Sequence, residues 1–145
     1  MEKKWIVTGL ILVITAIILG AFGAHGLKTL LEPKGIPLTF GLAKANQDIL
    51  TSFETGTRYQ FFMGIGFLII PFINSRFSIS GKGIYWLLLV GTIFFSGSIY
   101  GLTYSKVHTG GSLSKVFGPV TPIGGLLMIL GWILLLIQVI RSKKE

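Results

Sequence analysis

The hydrophobic residues of this chain fall into four long runs separated by short polar stretches. Residues 5–27, 59–75, 83–105 and 116–140 contain no Asp, Glu, Lys or Arg, so every charged side chain lies in the remainder. A soluble helix shows a polar stripe once per turn, and these runs have no charged stripe on any face. A helix of 20 residues is about 30 Å long, the thickness of bilayer hydrocarbon. The pattern therefore predicts an all-α fold, a four-transmembrane-helix bundle forming a single domain over 1–145. Its expected spans are 5–24, 53–73, 84–104 and 122–140.

The first run follows Lys3 and Lys4 and closes on Gly20, Gly23, His25 and Gly26. A basic pair before an apolar stretch resembles a signal peptide. The run is longer than an h-region of about 7 to 15 residues, so it is expected to be a retained span. A polar connection follows from Lys28 to about Ser52, broken by Pro33, Gly35 and Pro37. From Asn46, the positions of Ile49, Leu50 and Phe53 predict a short amphipathic helix running into the second span.

That second span is the exception to charge segregation. Its charge-free interval, 59–75, is short and contains Pro71, so a complete span must begin near Phe53 and take Glu54 and Arg58 into its first two turns. Acid-first i,i+4 spacing favours an ion pair. A bare charge at mid-bilayer costs about 2.5 to 3.5 kcal/mol, which assigns the pair to the interface or the bundle interior. Pro122 is expected in the first turn of the fourth span, where its missing N–H costs nothing. Trp5, Tyr85, Trp86, Tyr104 and Trp132 mostly lie near span ends, as an aromatic belt requires.

Composition agrees with the pattern. Hydrophobic residues make up 51% of the chain, mean hydropathy is +0.77 and only 12% of residues are charged, about half the usual soluble fraction. The net charge of +8 comes from Lys and Arg that flank apolar runs. Nucleic-acid binding would instead cluster them on one face with aromatic residues between, so the lipid bilayer is the expected partner and nucleic acid is not. With four spans, Lys3, Lys4, Arg76, Lys82, Arg141, Lys143 and Lys144 share one side in short segments, which predicts both termini in the cytoplasm. Having no cysteine, the chain has no disulfide, thiolate catalysis or thiolate metal site.

Four-span topology brings the end of span one, the start of span two, the end of span three and the start of span four to one membrane face. A candidate polar site gathers there: His25, Glu54, Arg58, Tyr59, Gln60, Ser96, Tyr100 and Thr121, with Tyr104 and His108 beside it. Thr92, Ser96, Tyr100 and Tyr104 recur every four residues and predict one polar stripe on span three. Hydroxyls in membrane helices also serve as interhelical glue, and Gly97-x-x-x-Gly101 suits close helix approach. Gly20, Gly23, Gly97, Gly101, Gly124 and Gly125 are the candidate packing glycines. Two histidines without a third ligand at metal spacing predict no metal site. No nucleophile elbow or phosphate cradle is present, and no cofactor is expected. No catalytic constellation is recognised. The expected function is accordingly a non-enzymatic interaction, assembly or lipid-contacting component of the membrane. The alternative is binding or transport of a small ligand or lipid at the polar face near the outer leaflet.

The segments Gly20-Ala-Phe-Gly-Ala-His25-Gly-Leu27, Thr55-Gly56 with Tyr59-Gln60, Phe95-Ser-Gly-Ser-Ile-Tyr100 and Thr121-Pro-Ile-Gly-Gly125 with Gly131-Trp132 resemble those of the domain-of-unknown-function 423 family. These are YgdD-like small inner-membrane proteins. The resemblance covers all four runs in order. It implies four spans in a bacterial cytoplasmic (inner) membrane and no established activity. The family has a His shortly after its Tyr-Gln pair, and Met63 stands there in this chain, which weakens chemistry based on a His pair. The first connecting loop is also longer than the family's. Small residues left facing lipid would permit a homo-oligomer, and lipid or other membrane proteins are the further expected partners.

Overall fold

The computed structural model describes residues 2–32, 39–77 and 79–142. The breakers Pro33, Gly35 and Pro37, and the basic Lys143 and Lys144, lie outside the described residues. Helix α1 (Glu2–Phe22) passes through a π-helical turn (Gly23–Leu27) directly into α2 (Lys28–Leu31). Then come α3 (Phe40–Phe77), α4 (Lys82–His108) and α5 (Ser114–Arg141). Four of these helical stretches are long and apolar enough to cross a membrane. The protein is an all-α, integral membrane bundle of four transmembrane helices.

The helices exceed the expected spans at one end. The 38 residues of α3 make a rod about 57 Å long, nearly twice the hydrocarbon thickness. The expected amphipathic segment from Asn46 is thus its continuous first half. Asn46 is buried there, and its amide donates to the Leu31 carbonyl at 2.6 Å, tying this half to the end of α2. Helix α5 begins at Ser114, so Pro122 sits more than two turns inside it rather than in its first turn. With Pro119, it interrupts the backbone ladder near the helix start, and the Thr121 hydroxyl gives the Phe117 carbonyl an extra donor at 3.4 Å.

Packing follows chain order. Helix α1 lies on α3, α3 on α4 and α4 on α5, while α1 and α5 have no extensive mutual contact. The four helices form a row instead of a closed ring. Consequently α1 and α5 turn broad apolar faces outward, with Ile11, Ile14, Ile17 and Ile18 on one and Ile129, Ile133, Leu136 and Ile140 on the other.

The end of the bundle that carries Lys3, Lys4, Arg76, Lys82 and Arg141, here the terminal end, is filled by aromatic rings. Trp5 packs edge-on against Tyr85 at 5.0 Å and tilts on Phe67 at 5.2 Å. The Thr8 and Tyr85 hydroxyls are 2.8 Å apart, and Lys4 Nζ lies 4.2 Å from the Tyr85 ring centre. Trp5 and Tyr85 are buried, so they do not serve the expected belt: their rings fill the space where three helices meet. Trp86, Tyr104 and Trp132 are exposed. At the opposite, loop end, Leu27, Leu50 and Phe53 form a second core.

Two glycine crossings set the closest approaches. A Cβ on Gly9 would lie 2.8 Å from the Gly64 carbonyl oxygen, and one on Gly64 3.0 Å from the Val13 nitrogen. Between α4 and α5, a Cβ on Gly91 would meet the Gly124 carbonyl at 3.0 Å, and one on Gly124 would collide with the Phe95 nitrogen. Backbone cannot yield as a side chain can, so these crossings require glycine.

Candidate functional site

The polar residues expected to gather do not form one pocket. They divide into an interhelical clasp and a set of exposed groups. The clasp centres on Gln60, which is buried on α3. Its Nε2 donates to the Leu12 carbonyl at 3.1 Å and to Thr15 Oγ1 at 2.7 Å, and its Oε1 accepts from the Tyr100 hydroxyl at 2.8 Å. Both amide protons and the amide oxygen are thus engaged, across three helices. The sequence offered no signal for Leu12, whose role is played by backbone, and only a hydroxyl in an apolar run for Thr15.

The same pattern repeats nearby. Ser96 donates to the Gly56 carbonyl at 2.8 Å, joining α4 to α3. This needs a close approach, and a Cβ on Gly56 would stand 3.1 Å from Ile99 and 3.2 Å from Tyr100. Ser98 and Thr121 pair at 2.7 Å between α4 and α5. Thr92 turns back to its own Leu88 carbonyl at 2.7 Å. The stripe on α4 thus faces inward from Thr92 through Tyr100, whereas Tyr104 is exposed. A four-residue step exceeds one turn by about 40°, so three steps rotate the stripe by about 120° and carry Tyr104 to the surface.

Glu54 and Arg58 lie on the outside of α3. With Ala16, Ile17, Thr57 and Phe61 they line a shallow depression of about 350 Å³. Among the described residues no ion pair joins them; each is exposed, where water or headgroups can solvate it separately. Tyr59 is also exposed and rests its ring on Phe95 at 5.0 Å. His25 is an exposed member of the π turn, and its carbonyl accepts from Thr29 Oγ1 at 2.8 Å. The His108 ring lies tilted against Tyr104, with centroids 4.7 Å apart. Among the described residues no group of three metal-ligating side chains converges.

The candidate packing glycines divide as well. A Cβ on Gly23 would stand 2.8 Å from the Phe53 ring and one on Gly101 2.8 Å from the Phe117 ring. Gly124 is locked into its crossing, and Gly125 would make only an ordinary contact with Phe95 at 3.6 Å. Gly20 and Gly97 face open space, with nothing within 4 Å of an added Cβ. Gly9, Gly64 and Gly91 carry the close approaches that the expected set lacked, and their signal was faint because isolated glycines in apolar runs look alike.

The family described as Protein of unknown function (DUF423) matches residues 19–125. A UPF0382 membrane protein of Staphylococcus aureus (strain bovine RF122) is 37% identical over 139 residues, covering 96% of this chain and 97% of the relative. Another from Staphylococcus saprophyticus is 36% identical over 135 residues, covering 93% and 95%. The UPF0382 membrane protein YwdK of Bacillus subtilis is 28% identical over 143 residues, covering 96% and 98%. No solved structure matches.

Proposed function

From the premise that the chain belongs to the DUF423 family, we propose that it is a non-enzymatic membrane component acting through contact with lipid and with other membrane proteins. One observation carries this reading: the inward-facing polar side chains of the expected site, Gln60, Ser96, Tyr100 and Thr121, are engaged with one another, with neighbouring hydroxyls and with backbone, while His25, Glu54, Arg58 and Tyr59 lie on the outside. Gln60 has both amide protons engaged by Leu12 and Thr15 and its oxygen by Tyr100, which leaves it no donor to offer a substrate. The clasp holds the row of helices, and the apolar faces of α1 and α5 are its working surface toward the bilayer. A second copy is among the proposed partners, since Gly20 and Gly97 present open backbone to the outside.

The test is Gln60→Leu in protein reconstituted in lipid. Interhelical hydrogen bonds in membranes average about 0.6 kcal/mol each. Losing three contacts, with the Tyr100 hydroxyl left stranded, predicts a loss of about 2 kcal/mol in unfolding free energy. Unchanged stability would remove the clasp and the reading built on it.

We also propose that the terminal end faces the cytoplasm of a bacterial inner membrane, because it gathers Lys3, Lys4, Arg76, Lys82 and Arg141. Ser112 lies in the exposed turn between α4 and α5. In this cysteine-free chain, Ser112→Cys is expected to react with an impermeant maleimide added to intact cells. Reaction only after permeabilisation reverses the orientation.

A further inference from the structure

At the loop end a groove of about 310 Å³ runs along α4, with α3 and α5 as its walls. It exists because α3 and α5 both pack on α4 and meet each other deeper in the bundle, where the Trp132 ring lies over Gly66, rather than beside the groove. Its floor is one helical stripe, Phe95, Ile99, Leu102, Thr103 and Lys106, and Ile49 of α3 adds to its apolar wall. From Phe95 to Lys106 the stripe rises about 16 Å. Chemistry changes along that length, from an aromatic ring and aliphatic chains at mid-bundle to an ammonium beyond the hydrocarbon. No carboxylate is part of the lining among the described residues.

Thr103 supplies a second, independent observation. It is only 6% exposed, and among the described residues its hydroxyl makes no hydrogen bond. Other threonines in these helices turn back to a carbonyl of their own helix, as Thr92 does to Leu88 and Thr55 to Thr51. Thr103 instead lines the groove and also a smaller cavity of about 120 Å³ behind it, against Leu27 and Tyr100. The Thr103 hydroxyl opens onto the groove, and within hydrocarbon a donor facing such a space has no water to bond, so it marks a place where a lipid acceptor fits. It lies one turn inward of Lys106 on the same face of α4, about 4.5 Å along the axis.

We propose that this groove binds one acyl chain of an anionic phospholipid, with Lys106 on the phosphate and the Thr103 hydroxyl donating to the ester carbonyl. The order of groups along the groove matches the order along such a lipid: chain, ester, phosphate. A volume at the lower end of ligand pockets, about 300 to 1,000 Å³, admits one chain and not a whole two-chain lipid. The bilayer supplies this occupant at the depth where the groove lies. The inference rests on the lipid-contacting reading above and narrows it to one site and one headgroup charge.

The test uses Ser52→Cys, at the mouth of the groove, labelled with bimane and placed in nanodiscs containing phosphatidylglycerol or phosphatidylcholine with brominated acyl chains. Ile14→Cys, on the exposed face of α1, reports general lipid contact. Quenching at Ser52→Cys is expected to be several-fold stronger with brominated phosphatidylglycerol than with brominated phosphatidylcholine at equal mole fraction, and equal for the two lipids at Ile14→Cys. Lys106→Gln, a change to an exposed side chain, is expected to remove the preference, and Ile99→Trp to fill the groove and lower quenching by both lipids. Equal quenching by the two lipids at Ser52→Cys, with normal quenching at Ile14→Cys, overturns the site but leaves the lipid-contacting reading standing. Absence of quenching at Ser52→Cys together with crosslinking between copies there overturns it in favour of a second chain as occupant. Loss of quenching at both positions overturns both readings.

Discussion

Gln60 shows how a single amide can organise a membrane bundle. In hydrocarbon an unmade hydrogen bond has no water to replace it, so a side chain with three bonding positions is tolerated only where three partners converge. That convergence comes from Leu12, Thr15 and Tyr100. Tyr100→Phe keeps the ring on Phe53 and strands the Gln60 oxygen. It is expected to cost about 1 to 3 kcal/mol in unfolding free energy, measured by equilibrium unfolding in mixed micelles, whereas Tyr59→Phe at the exposed surface should be nearly neutral. The sequence identified Gln60, Ser96, Tyr100 and Thr121 because polar side chains stand out in apolar runs. It placed Glu54, Arg58 and His25 with them because spacing reports depth along a helix well and azimuth poorly. Glu54 and Arg58 lie near the level of the clasp and outside it, and His25 is exposed ten residues, about 15 Å, beyond Thr15 toward the loop end.

Among the elements, the π turn and the glycine crossings were the least legible. Gly20, Gly23 and Gly26 read as the close of a helix, yet the chain continues through Gly23–Leu27 to Leu31. A glycine cluster ends a helix only when the backbone has reason to turn. Here Gly23 and Gly26 make room for the rings of Phe53 and Phe22, and the helix runs on. Contact across a crossing belongs to two helices at once, and one sequence displays each half separately. Gly124→Val pushes a side chain into the backbone of α4 and is expected to lose at least about 1 to 3 kcal/mol, the usual cost of overpacking. Gly97→Ala meets nothing and should stay within about 0.5 kcal/mol of the parent. Similar losses for both would mean that Gly97 also lies against a neighbour, as a second copy would provide.

Across the whole molecule, the count of four spans and the segregation of charge were fully written in the runs. The order of packing was not. Four apolar helices can close into a ring or lie in a row with the same hydropathy, since lipid covers an outward face as readily as another helix does. What decides here is where the close contacts fall. Gly9 and Gly64 lock α1 to α3, Gly91 and Gly124 lock α4 to α5, and nothing of the kind joins α1 to α5.

The row therefore has the mechanics of a book. Each cover is a helix pair fixed by steric contact of backbone on backbone, which is stiff. The spine between α3 and α4 is packed by Phe67 and Tyr85 at the terminal end, and toward the loop end it is fastened by the bonds from Ser96 to Gly56 and from Tyr100 to Gln60. Loosening those bonds would therefore let the angle between the covers change at the loop end, about the packed aromatic end. Spin labels at Ile14→Cys and Ile133→Cys, one on each cover, should give a broader distance distribution when Ser96→Ala removes a fastening from the spine. An unchanged distribution would mean that the covers are held rigid by packing alone. Closing the row into a ring would add an α1–α5 contact and fix that angle from the far side; among the described residues no extensive contact of this kind does so.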